Sequence, residues 1–184
     1  TTLHLRIPSW AQGVRVRING TDAGVPVEPG SYIRVTRRWS SGDTVEMDLP
    51  MRVRLIEGHP KIEATRNQVA VWRGPLVYCL EGHDVPDGVA LSDVYVSPET
   101  EWRPHRVESL LGEPRRGEAL LDSVVVLEGE ASVIQEPAWD GQLYRELEVI
   151  KPERRPVRLI PYFAWANRGT AEMTVWLPLG SRTQ

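Results

Sequence analysis

The segment Val14-Arg15-Val16-Arg17-Ile18-Asn19-Gly20 decides the fold class of this chain. Apolar and arginine side chains alternate along its first part, and this period of two is typical of a strand with one face on a core. The Asn19-Gly20 pair that follows is the strongest short-range signal for a two-residue hairpin turn. The segment therefore predicts an antiparallel β-hairpin.

The same alternation recurs on both sides of this segment. It is present at residues 3–7, 33–35, 45–49 and 51–55. The chain also contains 15 prolines and 15 glycines, which separate these runs and leave little room for a long helix. Short strands separated by turn signals predict an all-β chain, built as a sandwich or a barrel.

The second part of the chain has longer apolar runs and weaker alternation. A strand from residue 69 to residue 81 is interrupted at Arg73-Gly74-Pro75, because glycine accepts unusual φ values and proline lacks an N–H. Residues 109–118 predict a loop, since they are rich in Gly, Pro and Arg. Further strands are predicted at 120–127, which we expect to be central and buried on both faces, and at 144–150, 157–162 and 172–177.

The predicted strands fall into two groups on either side of residue 65. Gly58-His59-Pro60 ends the first group, and no flexible linker follows it. We therefore expect two consecutive antiparallel β-sandwich units of the jelly-roll or immunoglobulin-like type. The first should comprise residues 1–64 and the second residues 65–184, packed rigidly together.

Composition argues against two classes of partner. The formal net charge is −3, and basic and acidic residues alike alternate with apolar ones along the predicted strands, so we expect no nucleic-acid partner. No apolar run approaches the ~20 residues that cross a bilayer, so we expect no membrane partner. Cys79 is the only cysteine. No intrachain disulfide can form, which favours a reducing, cytoplasmic location.

The sequence lacks a recognisable catalytic or metal-binding motif. None of the four histidines lies within four residues of another, so there is no paired spacing for a metal. Cys79 lies between apolar neighbours without an adjacent base. Glu81, His83 and Asp84 form the best candidate cluster, at a strand end that runs into a loop, but a polar loop is the simpler interpretation of them. We expect no catalytic, metal-binding or cofactor-binding residue in this chain.

The seven tryptophans are the remaining notable feature. Indole rings stack on sugars, but they also fill cores and dominate interfaces. Trp10, Trp39 and Trp165 each lie beside a turn signal, which suits an interface or a loop anchor. Packing is the favoured interpretation, and sugar binding is the alternative.

Several segments along the chain match, in order, the motifs of a known family. They are Leu5-Arg6-Ile7-Pro8-Ser9-Trp10-Ala11, Val16-Arg17-Ile18-Asn19-Gly20, Gly42-Asp43-Thr44-Val45, Leu49-Pro50-Met51, Arg73-Gly74-Pro75-Leu76-Val77-Tyr78, and Ile160-Pro161-Tyr162 with Trp165-Ala166-Asn167-Arg168-Gly169. In this order they resemble glycoside hydrolase family 127, the β-L-arabinofuranosidase-like proteins. Each motif alone is weak, but the ordered series spans nearly the whole chain.

The resemblance implies that the catalytic centre lies outside this chain. In the family, an N-terminal (α/α)6 barrel holds a cysteine nucleophile and a zinc ion, and two β-sandwiches follow it. This chain resembles only the sandwiches, and Cys79 does not match the catalytic cysteines. Zinc is therefore expected in the barrel and not here. The motif at residues 5–11 lies inside the first sandwich, so residues 1–64 are expected to lack its earliest strands.

The resemblance also implies a role. We expect a non-catalytic accessory region that braces the barrel, with the barrel as its partner and a homodimer as a further assembly. The candidates for interface or sugar-facing residues are Trp10, Trp39, Trp165 and Arg168. A carbohydrate-binding module that uses exposed tryptophans is the main alternative, and an immunoglobulin-like adhesion domain is another.

Overall fold

The computed structural model describes residues 1–108, 110 and 123–180. Within these ranges the regular structure is β-strand with four short 3-10 turns, and no α-helix is present. The predicted all-β class is therefore confirmed. No helical segment in the described ranges has the length and apolar character that a membrane crossing needs. The loop predicted at 109–118 lies outside the described residues, except for Leu110.

The first compact unit comprises residues 1–53 and 73–75. Its strands are β1 Thr2–Arg6, β2 Arg15–Ile18, β3 Thr21–Asp22, β4 Tyr32–Thr36 and β5 Val45–Asp48. They form two antiparallel sheets, β1 with β4 and β3–β2–β5. Val16 from one sheet and Ile33 from the other pack in the same buried cluster with Ile7, so the sheets share one core. That this unit lacks its earliest strands stays a prediction.

The turn between β2 and β3 is the hairpin that the sequence predicts. Asn19 and Gly20 both have positive φ, 50° and 78°, as a two-residue hairpin turn of this type requires. The Asn19 side chain also joins this turn to β5. Its Nδ2 donates to Asp43 Oδ1 at 2.8 Å, and its Oδ1 accepts from the Thr44 N–H at 2.8 Å.

The second unit comprises residues 54–72 and 76–184. The strands that follow β5 are β6 Val53–Glu57, β7 Gln68–Arg73, β8 Leu76–Glu81, β9 Val94–Tyr95, β10 Arg103–Glu108, β11 Ser123–Val133, β12 Glu153–Pro161, β13 Met173–Thr174 and β14 Trp176–Pro178. They form one sheet in the order β10–β11–β12–β8–β7–β14, and β6, β9 and β13 pair at its sides.

The strand β11 lies between β10 and β12, as expected for the apolar run at 120–127. Val124, Val126 and Leu127 are at most 4% exposed. The central position is therefore confirmed for the described part of this run, but burial on both faces is not complete, because Ser123 and Val125 are only half-buried. Residues 120–122 lie outside the described residues.

The division between the compact units falls at residue 53, earlier in the chain than the expected 64/65 boundary. The physical reason is strand pairing. β6 pairs with β7, and these hydrogen bonds tie residues 54–57 to the second unit. The alternation at residues 51–55 looked continuous with the first group, because a sequence pattern does not reveal which neighbour a strand pairs with.

The strand predicted at residues 144–150 is wrong. These residues form no strand, and Tyr144, Leu147 and Val149 are more than 90% exposed. A strand needs a neighbouring edge with which to pair. β12, which follows in the chain, already pairs with β11 and β8.

Candidate functional site

An arginine and two acidic residues meet at the end of β8. Arg168 Nε donates to Glu81 Oε2 at 3.0 Å, and Arg168 Nη1 donates to Asp84 Oδ1 at 3.1 Å. Its Nη2 contacts both carboxylates. The Glu81 side chain is fully buried and that of Asp84 nearly so. We call these three residues the Arg168 cluster.

Local structure explains why the two acids converge. Glu81 is the last residue of β8, and the 3-10 turn Gly82–Asp84 brings Asp84 back beside it. The second Glu81 oxygen, Oε1, accepts from the Ala166 N–H at 3.0 Å. Ala166 has φ +64°, a left-handed conformation that costs a non-glycine residue roughly 1–2 kcal/mol. The hydrogen bond to Glu81 compensates part of this cost and fixes the loop that carries Trp165.

The electrostatics of the cluster indicate a structural role. The hydrogen bond from Arg168 to Asp84 is the largest cause that raises the pKa of the arginine, and the hydrogen bond to Glu81 raises it further. Burial acts in the opposite direction. Buried charges are tolerated when they are paired and hydrogen-bonded, as here. Many glycosidases use two carboxyl groups that flank the scissile bond. Glu81 and Asp84 are instead buried and bonded to the same guanidinium.

Cys79 and the histidines also lack the surroundings of a reactive site. Burial, with a further contribution from the charges of Glu81 and Asp84, raises the pKa of the Cys79 thiol to about 12. The thiol therefore stays protonated near neutral pH and is a poor nucleophile. Among the described residues, no group of three or more His, Cys, Asp or Glu side chains could hold a metal ion. The described residues of this chain therefore do not form a site for a zinc ion, which the resemblance implies for the barrel.

An exposed aromatic surface follows β12. Tyr162, Phe163 and Trp165 are 47%, 50% and 39% exposed. The rings of Tyr162 and Trp165 stack, with centroids 6.0 Å apart and an interplanar angle of 28°. The 3-10 turn Tyr162–Ala164 places these side chains at the end of the strand. Exposed aromatic residues of this kind are typical of binding surfaces.

The same tryptophan lines a cavity of about 680 Å³ in the second unit. Trp176 from β14 lines it as well. Its polar lining residues are Gln68, Ser92, Glu172 and Thr174, and Leu91, Ala171, Met173 and Pro178 complete the wall. We call it the Trp165–Trp176 cavity.

The four candidate residues from the sequence lie in two places. Trp165 and Arg168 occupy the same loop of the second unit, whereas Trp10 and Trp39 belong to the first unit and are only partly exposed. Trp39 is a packing residue, because its Nε1 donates to the Thr1 carbonyl at 3.0 Å and Arg37 lies 5.1 Å over its ring.

Sequence reasoning missed Tyr162, Phe163 and Trp176 as neighbours of Trp165. The consecutive aromatic residues at 162–163, immediately after an apolar strand, were the available signal for an exposed surface. Trp176 lies eleven positions beyond Trp165, and only the sheet topology shows that both line one cavity.

The fold and the ordered motifs define this chain as a β-sandwich region of a glycoside hydrolase. Residues 53–178 match the C-terminal domain of glycoside hydrolase family 127, and residues 1–51 match the middle domain described for the β-L-arabinofuranosidases of that family. The chain belongs to glycoside hydrolase family 127. The resemblance in the sequence motifs is thus confirmed.

Known proteins similar to this chain are much longer. A non-reducing end β-L-arabinofuranosidase of Bifidobacterium longum subsp. longum is 32% identical over 185 residues, which cover 94% of this chain and 25% of that protein. A solved glycoside hydrolase is 39% identical with a TM-score of 0.83, over 98% of this chain and 28% of its own. A family 127 β-L-arabinofuranosidase from Geobacillus stearothermophilus T6 is 39% identical with a TM-score of 0.78, over 97% and 26%. The chain therefore spans about a quarter of the length of these proteins.

Proposed function

We propose that this chain is the non-catalytic accessory region of a β-L-arabinofuranosidase-like glycoside hydrolase. The observation that carries the proposal is the Arg168 cluster. Glu81 and Asp84 are the most plausible catalytic acids by sequence position, at a strand end beside a loop, yet both are buried and bonded to Arg168. Their charges are paired with Arg168 within this unit, and their side chains are at most 3% exposed.

The proposed role is to brace a catalytic barrel in another part of the same polypeptide. The segment 143–149 supports a docked partner, because Leu143, Tyr144, Leu147 and Val149 are 84–97% exposed. Burying an apolar side chain of this size contributes about 1.5–3 kcal/mol. The similar proteins are about four times as long as this chain, so a further part of the polypeptide is the first candidate for the partner. A second copy of the chain is the alternative occupant.

A double substitution in the full-length polypeptide tests this role. Leu147→Asp with Val149→Asp should lower the melting temperature of the barrel and speed its loss of activity on heating, because charged side chains would disrupt the docked surface. The matched control is Ile62→Asp, which changes another exposed apolar residue, 51% exposed. If both variants melt like the unsubstituted protein, the bracing role of this segment is wrong. Light scattering on the same samples shows whether a dimer is lost instead.

A further inference from the structure

We infer that the Trp165–Trp176 cavity is a binding site for a neutral oligosaccharide. This inference goes beyond the accessory role, because it gives the region a ligand of its own. Membership of the family decides only which sugars are tested first for binding. The site itself is argued from its size, its aromatic lining, its polar groups and the way Trp165 is held.

The size and lining of the cavity fit a small ligand. Its volume of about 680 Å³ falls within the range of about 300–1,000 Å³ that is common for small-molecule sites. Two indole rings line it, and Trp165 presents 39% of its surface to solvent. Flat aromatic faces with a polar edge suit ligands that have apolar faces and a polar rim, as sugar rings do.

The polar groups of the lining are few and available. The Gln68 amide and the Glu172 carboxylate both line the cavity and carry groups that can bond to ligand hydroxyls. The Ser92 hydroxyl donates to Asp93 at 3.2 Å and keeps its acceptor positions. Mainly apolar walls with a small number of placed polar groups are the usual composition of a ligand site.

The charge of the lining selects against anionic ligands. Glu172 is the charged residue among those that line the cavity. The nearest arginine of the loop, Arg168, is already bonded to Glu81 and Asp84. Among the lining residues, an acidic sugar chain would therefore meet a carboxylate and no cation, whereas a neutral chain would find an acceptor for its hydroxyls.

Trp165 is held in place before any ligand arrives. The backbone N–H of Trp165 donates to the Tyr162 carbonyl at 3.1 Å, and the backbone carbonyl of Trp165 accepts from Asn167 Nδ2 at 3.2 Å. The next residue, Ala166, donates to the buried Glu81 carboxylate. These bonds fix the backbone of the loop, and stacking on Tyr162 restricts the indole ring itself, so less conformational entropy is lost on binding. The Arg168 cluster thus acts as the support of the site.

The test is isothermal titration calorimetry of the full 184-residue chain with neutral arabino-oligosaccharides and, separately, with trigalacturonic acid. We expect saturable heat with the neutral sugars and none with the anionic one. Trp165→Ala should weaken binding by at least about tenfold, since truncated tryptophan anchors typically cost that much or more. The matched control is Trp139→Ala, which removes another exposed indole, 46% exposed, from outside the cavity lining.

A second variant keeps the test decisive if Trp165→Ala does not fold. Glu172→Gln alters an exposed side chain and should change the affinity for neutral sugars while leaving the melting temperature unchanged. Flat titrations with the neutral sugars, or equal affinity in Trp165→Ala and Trp139→Ala, would overturn the inference. Binding of trigalacturonic acid alone would overturn it as well. None of these results supports or contradicts the bracing role, which is tested separately by the substitutions at residues 147 and 149.

Discussion

Arg168 Nε lies 3.0 Å from Glu81 Oε2, although the two residues are 87 positions apart in the sequence. This bond joins the end of β8 to the loop that carries Trp165. The Glu81 side chain has no exposure to solvent, and Arg168 is its ionic partner in the interior. The contact therefore stabilises the second unit and shapes its aromatic surface.

Removing the arginine should destabilise the second unit strongly. Arg168→Gln leaves two buried carboxylates without a cation, and breaking such a group typically costs about 3–5 kcal/mol. Arg158→Gln is the matched control, because the pair of Arg158 and Glu128 is partly solvated and should be worth about 1 kcal/mol or less. Urea unfolding measures both. Equal losses of unfolding free energy in the two variants would contradict the structural role of the cluster.

Gly74 should tolerate alanine less well than other glycines in turns. It has φ +56°, and a Cβ there would lie 2.8 Å from the Met51 Cε. Gly88 has φ +79° with nothing within 4 Å, so Gly88→Ala should cost only the left-handed strain of roughly 1–2 kcal/mol. Gly74→Ala should cost about 1–3 kcal/mol more through overpacking. If thermal unfolding shows similar losses for both, Met51 adjusts without cost.

Cys79 should be protected from thiol reagents in the folded protein. Its pKa is raised to about 12, mainly by burial, and the residue is fully buried. At pH 8 we expect no labelling by iodoacetamide in buffer and rapid labelling in urea, followed by mass spectrometry. The raised pKa also implies that stability falls as pH rises from the ordinary value of 9.0 through 12, because the unfolded thiol ionises first. Fast labelling of the folded chain would contradict this burial.

Asp43 should make the first unit sensitive to acid. A hydrogen bond from the Ser40 N–H, a second from Asn19 and the charge of Arg37 hold the pKa of Asp43 below its ordinary value of 3.8. The stabilisation is therefore full above pH 3.8 and is lost as pH falls through the lower pKa of the folded state. Asp43→Asn should flatten the decline of stability in acid, measured by urea unfolding at several pH values. Asp48→Asn, an exposed aspartate of β5, is the control and should leave the decline unchanged.

Local patterns in the sequence predicted the parts of the fold that depend on near neighbours. The alternation at 14–18 with Asn19-Gly20 predicted a hairpin because the turn residues are adjacent in the chain. The contacts of the Arg168 cluster could not be predicted from the sequence, because no periodicity links Glu81 to a residue 87 positions away. The strand predicted at residues 144–150 was wrong for a related reason, because its apolar spacing does not show that β12, which follows it in the chain, already pairs with β11 and β8.

The most direct test of the central claim is the hydrolysis of 4-nitrophenyl β-L-arabinofuranoside by the purified 184-residue chain. The account predicts release of nitrophenol at the rate of a buffer blank, because the chain's most plausible acids are buried against Arg168 and the Cys79 thiol is protonated. Turnover above the blank that is abolished by Glu81→Gln or Asp84→Asn would contradict it and would place catalysis within this chain.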